Sequence, residues 1–174
     1  MSNGSFGANP DTLSTKPAWD QPESLTPEQA RCEKRALMLL ARREHSRSEL
    51  SQKLSQRGFA GDVIQTVLDD LQSQGWQSDA RFAEVFIRNR AERGYGSLRI
   101  EAELAQRGVA KSDISHGWAQ NPLDWDHIVQ KLLLKRYAGP PEDWEDKRKR
   151  FAFLTRRGFN PELAHHYAGW WPKE

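Results

Sequence analysis

Cysteine is almost missing from this 174-residue chain. With Cys32 alone, neither an internal disulfide nor a multi-cysteine zinc site can form, and a reducing interior is the simplest setting. Long apolar runs are missing too. The longest in the helical region, Ala36 to Ala41, falls far short of the roughly 18 to 20 residues that span a bilayer. The N-terminus carries neither the basic nor the apolar block of a secretory signal, so the expectation is a soluble cytoplasmic protein with no membrane contact. A large excess of one charge is also absent. The formal net charge is +2 with 29% charged residues, so sign matters only where charges gather.

Groupings that carry catalysis are equally scarce. Gly94-Tyr95-Gly96 precedes a helix, but without a third glycine, a preceding strand or a Walker lysine it reads as a tight interhelical turn rather than a phosphate cradle. His165 and His166 are adjacent and so point about 100° apart on a helix, unlike the i, i+4 pair that binds zinc. His45, His116 and His127 have no evident co-ligands. Cys32 sits on an early helix without a nearby base and reads as packing. No catalytic residue, metal ligand or cofactor is expected.

What the chain does have is repetition. Leu54-Ser-Gln-Arg57-Gly58-Phe59, Leu104-Ala-Gln-Arg107-Gly108-Val109 and Leu154-Thr-Arg-Arg157-Gly158-Phe159 stand fifty residues apart. Each phrase is a helix ending of the Schellman kind, with Gly at C′, the next residue at C″ and Leu at C3. A unit that stops the same way three times implies a tandem helical array, which offers a long surface to a macromolecule rather than a pocket to a metabolite.

The predicted fold is all-α, with three three-helix repeats, about nine helices and no sheet, in an elongated or crescent-shaped array. Residues 1–25, rich in Ser, Gly, Asn, Pro and Thr, read as a disordered leader, or else as a short partner-binding arm built on Trp19. Repeat 1 covers 26–75, with a capping box at Thr26-Pro27-Glu28-Gln29, a second at Ser46-Arg-Ser-Glu49, and a stripe of Val63, Ile64, Val67, Leu68 and Leu71. Repeat 2 covers 76–121, where Ile100 and Leu104 stand where Leu50 and Leu54 stood. Repeat 3 covers 122–174, with a helix capped by Asp124 or Asp126, a second from about Glu142 to Arg157, and a last opened by Asn160-Pro161. Here the register is less tidy, because the first helix lies about seven residues upstream of the period. Asn121-Pro122 is a candidate pivot between repeats 2 and 3. Trp76, Trp118, Trp125 and Trp144 are expected to pack at helix ends and joints, and Trp170-Trp171 to fold back as a cap on the last unit.

Charge follows the same division. Residues 31–59 hold eight basic against three acidic side chains, residues 60–80 hold four acidic and no basic ones, and residues 131–157 hold nine basic against four acidic. Stacked units would align their basic helices into one stripe. The expected contact set is Arg42, Arg43, Arg47, Lys53 and Arg57 in the first unit, and Arg88, Arg93, Arg99 and Arg107 in the second. Lys135, Arg136, Lys149, Arg150, Arg156 and Arg157 complete it in the third. Asp79, Arg81 and Phe82 read instead as structural: Asp79 faces a positive helix end and Arg81 pairs with a neighbouring acid, so that their loss unfolds the second unit.

Three stretches carry a family likeness. They are Ala36-Leu-Met-Leu-Leu-Ala-Arg-Arg-Glu-His-Ser-Arg-Ser-Glu-Leu50 with Lys53-Leu54 and Arg57-Gly58; Asp79-Ala-Arg-Phe-Ala83 leading to Arg88-Asn-Arg90 and Arg93-Gly-Tyr-Gly96; and Arg99-Ile100, Glu103-Leu104 and Gly108-Val109. From about Ala36 to Tyr167 the chain resembles the RecX regulators of the RecA recombinase, more loosely in the third unit. Ser97 replaces a frequent Pro, and Gln77-Ser78 a commoner Leu-Asp. The resemblance implies a non-enzymatic regulator, an all-helical crescent of three-helix units lodged in the groove of a RecA filament on single-stranded DNA; the expected state is a monomer that contacts DNA weakly or through the filament. It would restrain strand exchange, ATP turnover and assisted cleavage of the SOS repressor. The alternatives are a direct helix-turn-helix-like nucleic-acid binder, which should offer Arg, Asn or Gln at a recognition-helix start, and a plain scaffold.

Overall fold

A computed structural model describes residues 25–172, so the leader and Trp19 lie outside the described residues. Among the described residues there are nine helices and no strand. The first unit comprises α1 (Pro27–Leu40), α2 (Arg47–Ser55) and α3 (Gly61–Ser73). The second comprises α4 (Asp79–Glu92), α5 (Ser97–Gln106) and α6 (Lys111–Gln120), and the third α7 (Trp125–Arg136), α8 (Trp144–Arg156) and α9 (Pro161–Ala168).

Side-chain caps start most of these helices. At α1 the box closes in both directions: Thr26 Oγ1 accepts from Gln29 N at 3.2 Å, and Gln29 Oε1 accepts from Thr26 N at 2.8 Å. At α2 only half of the expected box forms. Ser46 Oγ accepts from Glu49 N at 3.1 Å, but the Glu49 carboxylate turns away to Arg43 (3.0 Å) and Arg107 (3.3 Å). Asp124, not Asp126, caps α7, accepting from His127 N at 2.9 Å. Asp143 caps α8 and starts it at Trp144, two residues later than the sequence indicates.

The three glycine stops are Schellman endings. Gly58, Gly108 and Gly158 have φ of +86°, +73° and +85°, which costs an L side chain about 1 kcal/mol. Phe59, Val109 and Phe159 donate their N–H groups back to Leu54, Leu104 and Leu154 at 3.4, 3.2 and 3.2 Å. Those three leucines are fully buried, one in each of three cores, and each burial contributes about 2 kcal/mol. Trp125 and Ile128 pack against both the second and third cores, so α7 is shared between units.

Large rings fill one joint only. Trp118, Trp125 and Phe159 stack in series at 6.0 Å centroid spacings, and Trp170 returns onto Tyr167 at 5.8 Å. Contrary to expectation, Trp76, beyond the end of α3, and Trp144, at the start of α8, are 58% and 73% exposed and belong to none of the three cores.

The units join by a recurring geometry: the starts of α2 and α5 each rest on the next unit's glycine stop. Ser46 Oγ donates to the Arg107 carbonyl at 2.9 Å, and Ser48 Cβ lies 3.0 Å from where a Gly108 Cβ would stand. Fifty residues on, Gly96 N donates to the Arg157 carbonyl at 2.9 Å and Leu98 N to the Gly158 carbonyl at 3.1 Å. A Cβ on Gly96 would lie 2.2 Å from the Gly158 oxygen, so the turn tolerates only glycine there. At the expected pivot, Asn121 Nδ2 donates to the Gly117 carbonyl at 2.8 Å and the Glu84 carbonyl at 3.3 Å, tying the linker to α6 and α4.

Candidate functional site

The second joint opens on one side into a cleft of about 890 Å³. Arg88, the end of α4 and the Gly94 turn form one wall; His127, Lys131, Lys135 and Arg136 of α7 form the other; Phe153 and Arg157 of α8 close it. His127, Lys131 and Lys135 recur every fourth residue and so share one face of α7. Leu123, Ile128 and Leu132 supply an apolar floor. A Cβ on Gly94 would meet Leu132 Cδ1 at 2.9 Å, which lets the α4 turn approach α7 closely.

Charge in this cleft is poorly compensated. Six cations line it, namely Arg88, Arg93, Lys131, Lys135, Arg136 and Arg157, and among the described residues none is in an ion pair. Of its two acids, Asp124 already receives the His127 amide as a helix cap, which leaves Glu92 alone. Positive potential concentrated above an apolar floor suits carboxylates or phosphates on a partner, with the floor available to an apolar group. The sequence-derived set missed Lys131 and His127, although the i, i+4, i+8 series His127, Lys131, Lys135 marks them.

The structure brings Arg88, Arg93, Lys135, Arg136 and Arg157 together in this cleft. Other expected contacts are engaged internally. Around Tyr95 the guanidinium groups of Arg99, Arg90 and Arg157 sit at 4.6, 5.1 and 5.1 Å from the ring centre, and Arg107 lies 4.7 Å from Phe86. Glu103 pairs with Arg90 at 2.6 Å and Arg99 at 3.0 Å, while Arg107 pairs with Glu49 across the first joint. Arg47 is held by Asp69 (2.8 Å), Gln65 (2.6 Å) and Gln72, and Arg43 by Glu49. Lys149 pairs with Glu145 at 3.3 Å, a bond that raises its pKa. Lys53 and Arg57 share a smaller depression with Leu39 and Gln56, and Arg42 and Arg156 are exposed elsewhere.

Arg150 does not belong to the exposed set. Only 3% exposed, it donates from Nη2 to the Gly139 carbonyl at 2.6 Å, with Tyr137 and Trp171 rings 4.4 and 5.6 Å from its guanidinium. It occupies the register position of Leu50 and Ile100, which explains its burial. Asp79 stands in the first turn of α4, as expected of an acid at a helix start, and also reaches across the first joint. Its Oδ1 accepts from Arg47 N at 2.7 Å and Gln77 Nε2 at 2.8 Å, so it also faces the positive end of α2 in the first unit. Arg81 pairs with Glu44 at 3.0 Å, again across that joint.

Cys32 is buried in the first core, and burial pushes its thiol pKa up, opposite to a reactive nucleophile. Among the described residues no three metal-ligating side chains converge, and no helix is long and apolar enough to cross a membrane.

Comparison with known proteins matches each unit separately. Residues 32–71 match the first three-helix domain of RecX, 78–116 the second and 127–167 the third. A regulatory protein RecX of Chromohalobacter salexigens is 44% identical over 131 residues, covering 75% of this chain and 86% of the relative. One from Xanthomonas oryzae pv. oryzae is 46% identical over 127 residues, covering 72% and 79%. A crystal structure of regulatory protein RecX superposes with a TM-score of 0.68 at 25% identity, over 80% of this chain and 72% of that one. RecX from Lactobacillus salivarius shares the fold at the same TM-score and 18% identity, over 82% and 95%. With all three units matched in order and such identity over most of its length, this chain belongs to the RecX family of regulatory proteins, which are regulators rather than enzymes.

Proposed function

We propose that this chain docks on a RecA filament on single-stranded DNA through its basic helical surface, and so restrains strand exchange, ATP turnover and assisted repressor cleavage. The cleft between the second and third units is the observation that carries this reading. Its six cations come from three helices of two units that meet at the Gly96–Gly158 seam, so the fold itself gathers them on one cleft. Like charges gathered in one cleft speed encounter with an acidic partner. Contact with DNA comes mainly through the filament. A direct reader of duplex DNA is disfavoured by α3, α6 and α9, which open on Gly61-Asp62, Lys111-Ser112 and Pro161-Glu162, with no Arg, Asn or Gln aimed at base edges.

The test mixes the protein with RecA, ATP and single-stranded DNA and follows ATP hydrolysis. Inhibition is expected at substoichiometric amounts. The double variant Lys131→Glu, Lys135→Glu, reversing two exposed charges, should raise the half-inhibiting concentration about tenfold or more at low salt, an effect of about 1.4 kcal/mol, without lowering the melting temperature. No inhibition at any ratio, together with tight and salt-sensitive binding to duplex DNA, would overturn the proposal.

A further inference from the structure

The array has two open ends, and they are complementary. The start of α2 rests on the Gly108 stop and the start of α5 on the Gly158 stop. That leaves one stop and one start without a neighbour among the described residues: the Gly58 stop of the first unit and the start of α8 in the third. A Cβ on Gly58 would meet nothing within 4 Å, whereas on Gly158 it would lie 2.3 Å from Arg99 Cβ. Beside Gly58 is the depression of about 300 Å³ lined by Leu39, Lys53, Gln56 and Arg57. Neither Lys53 nor Arg57 makes an ion pair among the described residues.

The free start has the matching chemistry. Asp143 caps it and Glu145 and Asp146 stand in its first turn, sharing the single Lys149 at 3.3 and 3.7 Å, while Trp144 is 73% exposed with Arg148 5.9 Å from its ring centre. α8 has 13 residues against 9 and 10 in α2 and α5, so from a common glycine register its start projects about one turn further out. An acidic helix start with an exposed ring thus belongs to the last unit, and a basic depression beside a bare glycine stop to the first.

We propose that a second copy of this chain fills the open stop: the start of α8 in one copy seats on Gly58 of the next, Trp144 entering the depression beside Leu39 and the acidic turn meeting Lys53 and Arg57. The contact repeats between molecules the one that joins units within them. It is heterologous, so it leaves a free end at each step and builds open chains rather than closed dimers. This replaces the monomer expected from the sequence. It needs only the chain itself, so it stands or falls independently of filament docking.

Sedimentation velocity of the full chain at low salt, from about 10 μM to about 1 mM, tests it, a range that captures weak association. The sedimentation coefficient should climb with concentration past that of a dimer, and added salt should suppress the climb. Trp144→Ala and Gly58→Asn, the latter keeping a residue that tolerates positive φ while adding a Cβ, should each abolish it without lowering the melting temperature. Mixing those two variants provides the sharper test. Each retains one intact partner surface, so the mixture should form one-to-one dimers and nothing larger, which misfolded variants would not do. A coefficient flat to the highest concentration, a climb that both variants leave intact, or a mixture that stays monomeric would overturn the proposal. It is equally overturned if Gly58→Asn changes only binding to RecA filaments, or only the protease sensitivity of residues 1–24, since the stop would then belong to those occupants.

Discussion

The two joints of this array share one geometry but are built from different materials. Between the first and second units the contacts are made by side chains: Ser46 to the Arg107 carbonyl, Asp79 to the Arg47 amide, Gln77 Nε2 to the His45 carbonyl at 3.1 Å, Arg81 to Glu44 and Arg107 to Glu49. Between the second and third, backbone meets backbone at Gly96 and Gly158 and rings seal the gap through Trp125, with side-chain bonds from Arg157 to the Arg93 carbonyl (3.1 Å) and from Arg99 to the Arg156 carbonyl (3.5 Å) at its edge. Side-chain contacts tolerate small shifts and respond to charge, whereas a backbone seam with no room for a methyl group is either closed or broken. The rigid cleft accordingly lies at the second joint.

One substitution made at equivalent positions separates these materials. Gly96→Ala should be the most damaging, since its Cβ would overlap the Gly158 carbonyl at 2.2 Å without any positive-φ penalty, and a loss of about 3 kcal/mol or more is expected in urea unfolding. Gly158→Ala should cost about as much, combining overlap with Arg99 and the cost of its φ. Gly108→Ala faces a Ser48 Cβ at 3.0 Å and should lose about 1 to 2 kcal/mol, and Gly58→Ala only the conformational cost of about 1 kcal/mol. Equal losses at all four sites would erase the distinction between the joints.

Asp79→Ala attacks the first joint in its own terms. The carboxylate satisfies an α2 amide and the Gln77 side chain, whose Oε1 is already buried without a partner, so removal should cost about 2 kcal/mol. Faster hydrogen exchange is expected first at the Arg47 amide, with α5 and the second joint protected. Exchange that instead rises across all of α4 to α6 would restore the view that Asp79 holds the second unit together.

Much of this was legible in the chain because the stops, caps and stripes are local codes. Thr26, Asn160 and the Leu-x-x-x-Gly phrases each decide structure within a few residues, and they recur. What stayed hidden is what crosses between units. Nothing near Arg107 in sequence shows that it meets Glu49, and nothing near Gly96 shows that Gly158 comes to rest on it. The candidate site failed for the same reason. A basic count cannot separate Lys135, which faces the cleft, from Arg99 and Arg107, which lie against Tyr95 and Phe86. Arg150 is the exception, since the fifty-residue register aligns it with Leu50 and Ile100, and its burial was readable.

The smallest expected effect comes from pH, and it again divides the molecule. His45 is buried at the first joint, and burial lowers its pKa from 6.5, with Arg43 and Lys53 acting in the same sense. The Arg43 carbonyl, 3.0 Å from Nδ1, and the Glu49 charge oppose that shift. Below about pH 6.5 the unfolded chain therefore takes up a proton that the folded chain resists, so stability should fall with pH from there to the lower folded pKa and then level off. Cys32 in the first core and Tyr167 in the third have pKa values raised from 9.0 and 10.0, chiefly by burial, so their contribution is whole at neutral pH and is lost as pH rises beyond those values. Thermal melts of the native chain and His45→Gln between pH 5 and 7 isolate the acid branch. The variant should flatten it, and exchange at pH 5 should quicken around Arg47 before it does around Gly96, because the protonated ring strains only the joint made of side chains.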